Sequence, residues 1–521
     1  MGPILYMKLF NFKRFQETKI VFQEGINLLI GDNESGKSSI LTAIDLVIRG
    51  SRSKVENMGL DSLFNKQVIE NFLAGKRRVE DLPTMKVELY LSDQDNHLLN
   101  GENNTDDKEC DGLYISCEPM DEYSADIKQV LSEGSIFPFE FYEIKFMTFR
   151  DQPYNGYKKY LKHLLIDNSL VSNEYAIREY VRSIYDSHVN EQERSKHNNE
   201  YRKSKEKFKN DVLKGLNNRI KDYSFVLRMN SKSSLDSDLT IAENGINIEH
   251  RGKGRQCFVK TDFSLKKSDK SSKLDVILLE EPENHLSHLN MKKLVEKIAS
   301  SYEKQIFVAT HNDLISTRLD LRRSILLNSS SNKPAYLNDL SKETANFFIK
   351  APNNNILEFV LSKKVILVEG DAEYMLMDKF FREETKTFPE KKGIHIISVG
   401  GTSFKRYLEL ARLLDIKTAV IRDNDGDYKN NCEKRYGDYI SETIQVFSET
   451  NNKISTFEIA IYNTSQAVCD SLFAKARRTL SVQDYMIKNK ADAAFALLDD
   501  ETSSLVTPVY IKRAIQWITE E

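Results

Sequence analysis

The sequence predicts an α/β protein in two parts, a larger N-terminal one interrupted by helices and a smaller C-terminal one. Three features support this. A glycine loop, Gly31 to Ser38, lies between an apolar strand and a helix of apolar period. A second apolar strand, Val276 to Leu279, runs straight into the paired acids Glu280 and Glu281. Three later strands, within residues 365–422, each end in acids or glycines. Strands that alternate with helices in this way build sheets whose ligands sit beyond the strands' carboxyl ends.

Bulk properties narrow the classes. A chain of 521 residues exceeds what one hydrophobic core organises, so at least two domains are expected. Hydrophobic residues make up 40% and charged residues 29%, and no run approaches the roughly 18 apolar residues of a spanning helix, so no membrane association is expected. The start shows no charged-then-apolar leader, and Tyr6 stands where a myristoylation signal needs Ser or Thr; the expected location is cytoplasmic. Cys110, Cys117, Cys257, Cys432 and Cys469 are odd in number and lack a C-x-x-C, which excludes a disulfide scaffold or zinc knot. A net charge of −3 argues against a generally basic nucleic-acid coat while allowing a local basic face.

In chain order, residues 6–12, 19–22 and 26–30 read as strands leading to the glycine loop. The spacing G-x-x-x-x-G-K-S lets backbone N–H groups of Asn33, Gly36, Lys37, Ser38 and Ser39 wrap a phosphate. Lys37 would then reach the terminal phosphates and Ser38 offer its hydroxyl to Mg²⁺. Ile40, Leu41, Ala43, Ile44 and Val47 place a helix N-terminus at those phosphates. Phe10, Phe12 and Phe15 either stack on a base or fill the core. Residues 86–91 alternate as another strand, and 92–123 are polar with a loop at 103–108.

After Tyr160 the pattern becomes helical. Tyr175, Ile177, Tyr180, Val181, Ile184 and Tyr185 form one apolar stripe, and Tyr201, Phe208, Val212, Leu216 and Ile220 another. Residues 191–221 carry ten Lys/Arg against five Asp/Glu, which fits a solvated helix pair, a DNA-contacting arm or a dimer-forming arm. The stretch 249–258 then packs Gly252, Gly254, three bases and Gln256 into a turn-like segment. At the end of the strand 276–279, Glu280 would hold the Mg²⁺ shell and Glu281 polarise the attacking water of a nucleotide hydrolase. The strand 305–310 delivers His311, either a structural residue or a sensor of the terminal phosphate.

In the second part, the strand 365–368 ends at Glu369-Gly370 and leads into a helix bearing Glu373. The strand 395–399 ends in Gly400-Gly401, and the strand 418–422 ends in Asp423-Asn424-Asp425. One sheet edge would gather Glu369, Glu373, Asp423 and Asp425, hard oxygen ligands suited to Mg²⁺ or Mn²⁺. A calcium loop from Asp423 is excluded, since its sixth position is Tyr428 and its twelfth Lys434. A solvated acidic loop is the alternative.

Gly31 to Ser38, Gly252 to Gln256, Glu280 to Leu286 and Thr310 to Asp313 resemble the ATP-binding-cassette type of ATPase found in DNA-repair and chromosome-maintenance proteins. The resemblance implies a homodimer, through the ATPase domain or the helical insertion, in which Gly254 and Gln256 of one subunit close over ATP held by the other. Two departures stand out: Glu280 replaces the usual Asp, and the signature lacks the Leu-Ser-Gly-Gly-Gln form. The second part resembles the Toprim domain of topoisomerases, primases and certain nucleases. Together the two look like the OLD (overcoming lysogenization defect) family of ATP-dependent endonucleases. That resemblance implies metal-dependent DNA cleavage, often in anti-phage defence, with some relatives acting beside a reverse transcriptase and its DNA product. By position, Glu369 and Glu373 match the first acidic motif and Asp423 and Asp425 the second. Glu458 looks like a later acidic ligand, and Lys490, or else Lys488, like the lysine that steadies the charged transition state.

The expected organisation is ATPase in 1–160 and 226–350, a helical insertion in 161–225 and Toprim in 351–521. The expected activity is an ATP-binding, metal-dependent DNA endonuclease. Two other classes fit the same motifs: an ATP-switched DNA clamp without nuclease activity, and an effector that depletes nucleotides.

Overall fold

The structure, a computed structural model, describes residues 3–32, 34–134, 136–156, 160–168, 174–220, 223–228, 235–265, 274–301, 304–312, 315, 319, 323–328, 334–350, 355–401, 403–474, 480–500 and 504–520. The chain divides into two compact units, one formed by Met1–Leu29 with Gly36–Ser324 and the other by Ile30–Ser35 with Ile325–Glu521.

The first unit contains an antiparallel sheet and a parallel one. In the antiparallel sheet, Phe15–Val21, Ile4–Phe12, Met85–Leu91 and Cys110–Pro119 lie in that order, and Tyr142–Thr148 pairs with the last of them. Phe15–Val21 buries and exposes residues almost alternately, the pattern of a strand with one wet face. In the parallel sheet, Ile26–Gly31, Gln305–Thr310, Val276–Glu280 and His163–Asp167 are successive neighbours. Every residue of Ile26–Gly31 and Gln305–Thr310 is buried, which is why these runs are mostly apolar and do not alternate. The buried Gln305 side chain ties the strands together, accepting from the Ile4 N–H at 2.9 Å and donating to the carbonyls of Ile4 at 2.8 Å and Gln23 at 3.0 Å. The helix Lys37–Arg49 buries Ile40, Leu41, Ala43, Ile44 and Val47, about 1.5–3 kcal/mol for each large side chain. It ends at Gly50, whose left-handed backbone donates to the Leu46 carbonyl.

Residues 161–168, assigned to the helical insertion by sequence, instead include a strand of the parallel sheet, His163–Asp167. Five residues are too few for a period to distinguish strand from helix. Two helices follow. Glu174–His188 buries Ile177, Tyr180, Val181 and Ile184, the expected stripe, while the side chain of Tyr175 lies outside the described part. Glu191–Asp211 opens with a capping box between Asn190 and Glu193 and buries none of its residues. Of the proposed stripe, Phe208 and, beyond the helix, Val212 and Leu216 are exposed in the single chain, while Tyr201 and Ile220 are half-buried.

The second unit centres on a four-stranded parallel sheet in the order Ile394–Ser398, Lys364–Val368, Lys417–Ile421, Ile444–Phe447. One of its faces packs on a core that includes Ile366, Val368, Phe380, Phe381, Phe457 and Ile515. The helices Asp371–Thr385, Phe457–Thr464, Lys490–Asp499 and Val509–Thr519 supply that core.

Candidate nucleotide and metal sites

The glycines that frame the phosphate loop are sterically required. A Cβ on Gly31 would lie 2.3 Å from both the Leu327 carbonyl and the Ser35 hydroxyl, and one on Gly36, at φ +99°, would lie 2.6 Å from the Phe15 ring. Phe12 and Phe15 are core residues, which removes them as base-stacking faces. Lys37 is buried at the helix N-terminus, whereas Ser38 is exposed in the first turn. Ser35 Oγ is buried and has no hydrogen-bond partner among the described residues. Ser39 is half-buried beside them, and Asn33 lies outside the described residues.

The strand-end acids surround this helix N-terminus. The Ser38 hydroxyl donates to the Glu280 carboxylate, bringing together the two groups expected around Mg²⁺. Burial raises the pKa of Glu280, helped by the nearby acids Asp167 and Glu281 and opposed by the Ser38 hydrogen bond. Asp167 pairs in register with Glu280 on the neighbouring strand, a proximity that no local motif announces. Glu281 has a left-handed backbone, φ +45°, and accepts a 2.6 Å hydrogen bond from Asn284 Nδ2. His311 Nδ1 stands 3.8 Å from Glu281 and 3.9 Å from Glu283. Glu283 was not anticipated from sequence. It is buried, accepts from the Thr310 hydroxyl at 2.6 Å and the His311 N–H at 3.3 Å, and burial pushes its pKa up. The signal available was the E-E-P-E order, in which Pro282 returns a third acid to the sheet end.

The expected signature stretch is helical where sequence suggested a turn: Gly254 and Gln256 lie in the first turn of Lys253–Leu265. Gly254 fits because a Cβ there would come 2.2 Å from the His285 carbonyl. Gln256 is buried and donates to the Arg251 and Glu249 carbonyls at 2.8 and 3.4 Å, so in the single chain its amide turns toward its own loop. Asp313 lies outside the described residues.

In the second unit, strand ends and helix first turns gather the acids. Glu369 follows Lys364–Val368, Glu373 is buried in the first turn of Asp371–Thr385, and Asp423 is buried after Lys417–Ile421. Each offers a carboxylate oxygen within 4.8 Å of the other two. Gly400 and Gly401 adopt the left-handed turn their sequence suggested, and the Gly401 N–H donates to the Glu369 carbonyl at 2.9 Å. Burial first, then the neighbouring carboxylates, pushes Asp423 up to about 8; burial pushes Glu369 up to about 7, and Glu373 is raised in the same direction. Buried acids that repel one another form a donor set demanding positive charge, and their hard oxygens fit Mg²⁺ or Mn²⁺.

Glu458, in the first turn of Phe457–Thr464, is 2% exposed and stands 3.2 Å from Lys490 Nζ. Neither Glu458 oxygen accepts a well-formed hydrogen bond among the described residues. Burial opposes the Lys490 charge, but Glu458, Asp423 and Glu373 outweigh it and raise its pKa. Lys490 is thus the lysine that reaches the acids; Lys488 closes the preceding helix, Val482–Lys488. Asp425 departs from expectation: it lies outside the three-carboxylate group and pairs with Arg422 at 3.1 Å.

A phosphate loop facing a strand-end glutamate, in one chain with a buried acidic triad on a parallel sheet, defines an ATPase joined to a Toprim-type unit. Residues 4–315 match the family described as AAA ATPase domain, and residues 360–425 match the TOPRIM domain of overcoming lysogenization defect protein-like sequences. The chain belongs to the AAA ATPase domain family and carries an OLD-like Toprim domain in its second half. The curated DNA double-strand break repair Rad50 ATPase of Pyrococcus abyssi is 55% identical over 38 residues, 7% of this chain and 4% of that protein. The SMC head domain from Thermotoga maritima matches 63% of this chain and 96% of its own at 14% identity and TM-score 0.29. The C-terminal region of the Xanthomonas campestris pv. campestris OLD protein matches 30% of this chain and 92% of its own at 25% identity and TM-score 0.23. No described helix is long and apolar enough to cross a membrane.

Proposed function

We propose that the protein is an ATP-binding, divalent-metal-dependent DNA endonuclease acting in anti-phage defence. The observation that carries this reading is the convergence of Glu369, Glu373 and Asp423 within 4.8 Å, with Lys490 placed to feel their charge. A Mg²⁺ or Mn²⁺ ion held by these acids would activate water and stabilise the leaving oxygen of a phosphodiester. Lys490 would meet the negative charge that builds on the phosphate, and Glu458 would hold Lys490 in place from its buried position. In the ATPase part, Lys37 and Ser38 would bind the nucleotide phosphates with their metal, Glu280 would complete that shell, and Glu281 with His311 would orient the attacking water. Gly254 and Gln256 would serve the nucleotide of a second subunit, through a homodimer built on the ATPase part or on the 174–220 helices. In defence, a partner such as a reverse transcriptase with its DNA product would gate the nuclease.

Plasmid cleavage with Mg²⁺ or Mn²⁺, with and without ATP, tests the reading. Cutting by the wild type and its loss in Asp423→Ala place the chemistry in the Toprim unit, and Lys37→Ala then reports whether nucleotide drives or restrains it. A wild type that leaves DNA intact under every condition, with or without its defence partners, rules the nuclease out in favour of a clamp.

A further inference from the structure

The acidic site of the second unit holds a cation that its sequence pattern does not announce. Arg422 sits between the apolar end of Lys417–Ile421 and Asp423, and it is 2% exposed. Its Nε donates to the Asp423 carbonyl at 3.2 Å, one terminal nitrogen to the Tyr436 hydroxyl, and the other to Asp425 Oδ2 at 3.1 Å. Tyr436 is fully buried and meets the Phe404 ring edge-on, which fixes the guanidinium from behind. Asp425 is the exposed partner of the pair, with its side chain 50% open to solvent.

The ion pairs sort the five acids of the site. Arg422 takes Asp425 and Lys490 takes Glu458, which leaves Glu369, Glu373 and Asp423 as the group whose oxygens share one small volume. That remainder is suited to one divalent cation. A second cation requires another oxygen donor, and Asp425, two residues from Asp423, is within electrostatic reach of Glu369. Its Oδ2 is already committed to a guanidinium, a strong charge-assisted contact that holds the carboxylate turned toward Arg422.

We propose, on the metal-nuclease reading above, that Arg422 is a positioning residue that withholds Asp425 from the cluster. Glu369, Glu373 and Asp423 take the first divalent cation, and Asp425 helps bind a second only when it exchanges Arg422 for metal. Arg422 thereby separates the two binding steps and ties full loading of the site to the opening of one ion pair.

The test is Mn²⁺ titration of the nucleotide-free full chain, followed by calorimetry and by the electron paramagnetic resonance of free Mn²⁺. The wild type is expected to show a tight class and a weaker class. In Asp425→Asn the tight class persists and the weaker one is lost. In Arg422→Gln the weaker class tightens roughly tenfold, the scale of one charge-assisted hydrogen bond, and Arg422→Lys falls between. Asp425 is exposed, so its variant decides the matter even if Arg422→Gln fails to fold. Tight binding with the weaker class unchanged within twofold in both variants would overturn the roles of both Arg422 and Asp425 and leave the metal reading standing. A wild type that binds no Mn²⁺ would overturn the metal reading and this role with it.

Discussion

The two acidic clusters of this chain are built on the same plan, acids at the carboxyl ends of parallel strands, yet their charges are handled in opposite ways. Near the phosphate loop each acid has its own partner: Ser38 for Glu280, Asn284 for Glu281, Thr310 and the His311 N–H for Glu283. In the Toprim unit Glu369, Glu373 and Asp423 chiefly face one another. The first arrangement is a preformed polar network in which each acid has a neutral polar neighbour, although Glu283 Oε2 has no partner among the described residues. The second is stable only when protonated or neutralised by a cation. Perturbations of the two clusters should therefore differ in kind.

The largest expected effect is on catalysis. Asp423→Ala removes a proposed direct ligand of the metal, whereas loss of an outer partner of a metal ligand costs about 10–100-fold, so on the proposed function plasmid cleavage should fall by roughly 100-fold or more. Nucleotide binding should survive. Lys37→Ala should give the reverse, weakening ATP binding by about 10–100-fold, as for loss of a charged hydrogen bond, with Mn²⁺ binding to the Toprim unit intact. Fluorescent-nucleotide and Mn²⁺ titrations of both variants check the separation. If each variant impaired both ligands equally, the clusters would not be independent sites.

The next effect is on stability and has a definite sign. Asp423 titrates at about 8 in the fold against an ordinary 3.8, and Glu369 at about 7 against 4.5. The folded unit therefore binds more protons than the unfolded chain between about pH 4 and pH 8. Stability from these groups is fully present below pH 4 and is lost as pH rises through 7 and 8. Melting of the metal-free protein should show the Toprim transition fall over that window. Added Mg²⁺ or Mn²⁺ should restore it, by an amount that is small at pH 5 and largest at pH 8. Asp423→Asn should raise the metal-free transition at pH 8 by about 1–3 kcal/mol and abolish most of the metal-induced gain. A metal-induced shift independent of pH would mean that the acids do not form the binding site.

Legibility from sequence follows the same divide. The phosphate loop, the strand-end pair Glu280-Glu281 and the residues Glu369, Glu373 and Asp423 were all readable, because glycine spacing and an apolar run that stops at acids are local patterns. What sequence could not supply was contact between distant segments. Asp167 reaches Glu280 only through parallel strand pairing, and the choice of Lys490 over Lys488 depends on how a helix start faces Glu458. Glu283 was hidden because its value comes from Thr310 and His311, 27 and 28 residues further along the chain. Asp425 was assigned to the metal because the D-x-D spacing is visible, while the Arg422 contact that diverts it depends on a side-chain direction. The turn expected at Gly252 to Gln256 became a helix start because glycines serve both, and the stripe at Tyr201 to Ile220 has helical spacing although Phe208, Val212 and Leu216 are exposed in the single chain.

The smallest effect is the sharpest check on the contrast. Glu283→Gln replaces a buried acid, whose pKa burial has already raised, with a neutral side chain of the same shape. The amide oxygen can still accept from the Thr310 hydroxyl and the His311 N–H, and the new NH₂ group falls where Glu283 Oε2 has no partner among the described residues. The buried NH₂ group without an acceptor costs stability, and the desolvation of a charge is removed. The two changes oppose each other, so the melting transition at pH 7 should move by no more than about 1 kcal/mol. The stabilisation given by Mn²⁺ should keep its wild-type size and pH dependence, since Glu283 takes no part in the Toprim cluster. The same acid-to-amide exchange at Asp423 should alter both quantities. A Glu283→Gln protein that lost several kcal/mol would show that this acid is held ionised by its surroundings, and the network near the phosphate loop would then depend on charge as heavily as the Toprim cluster does.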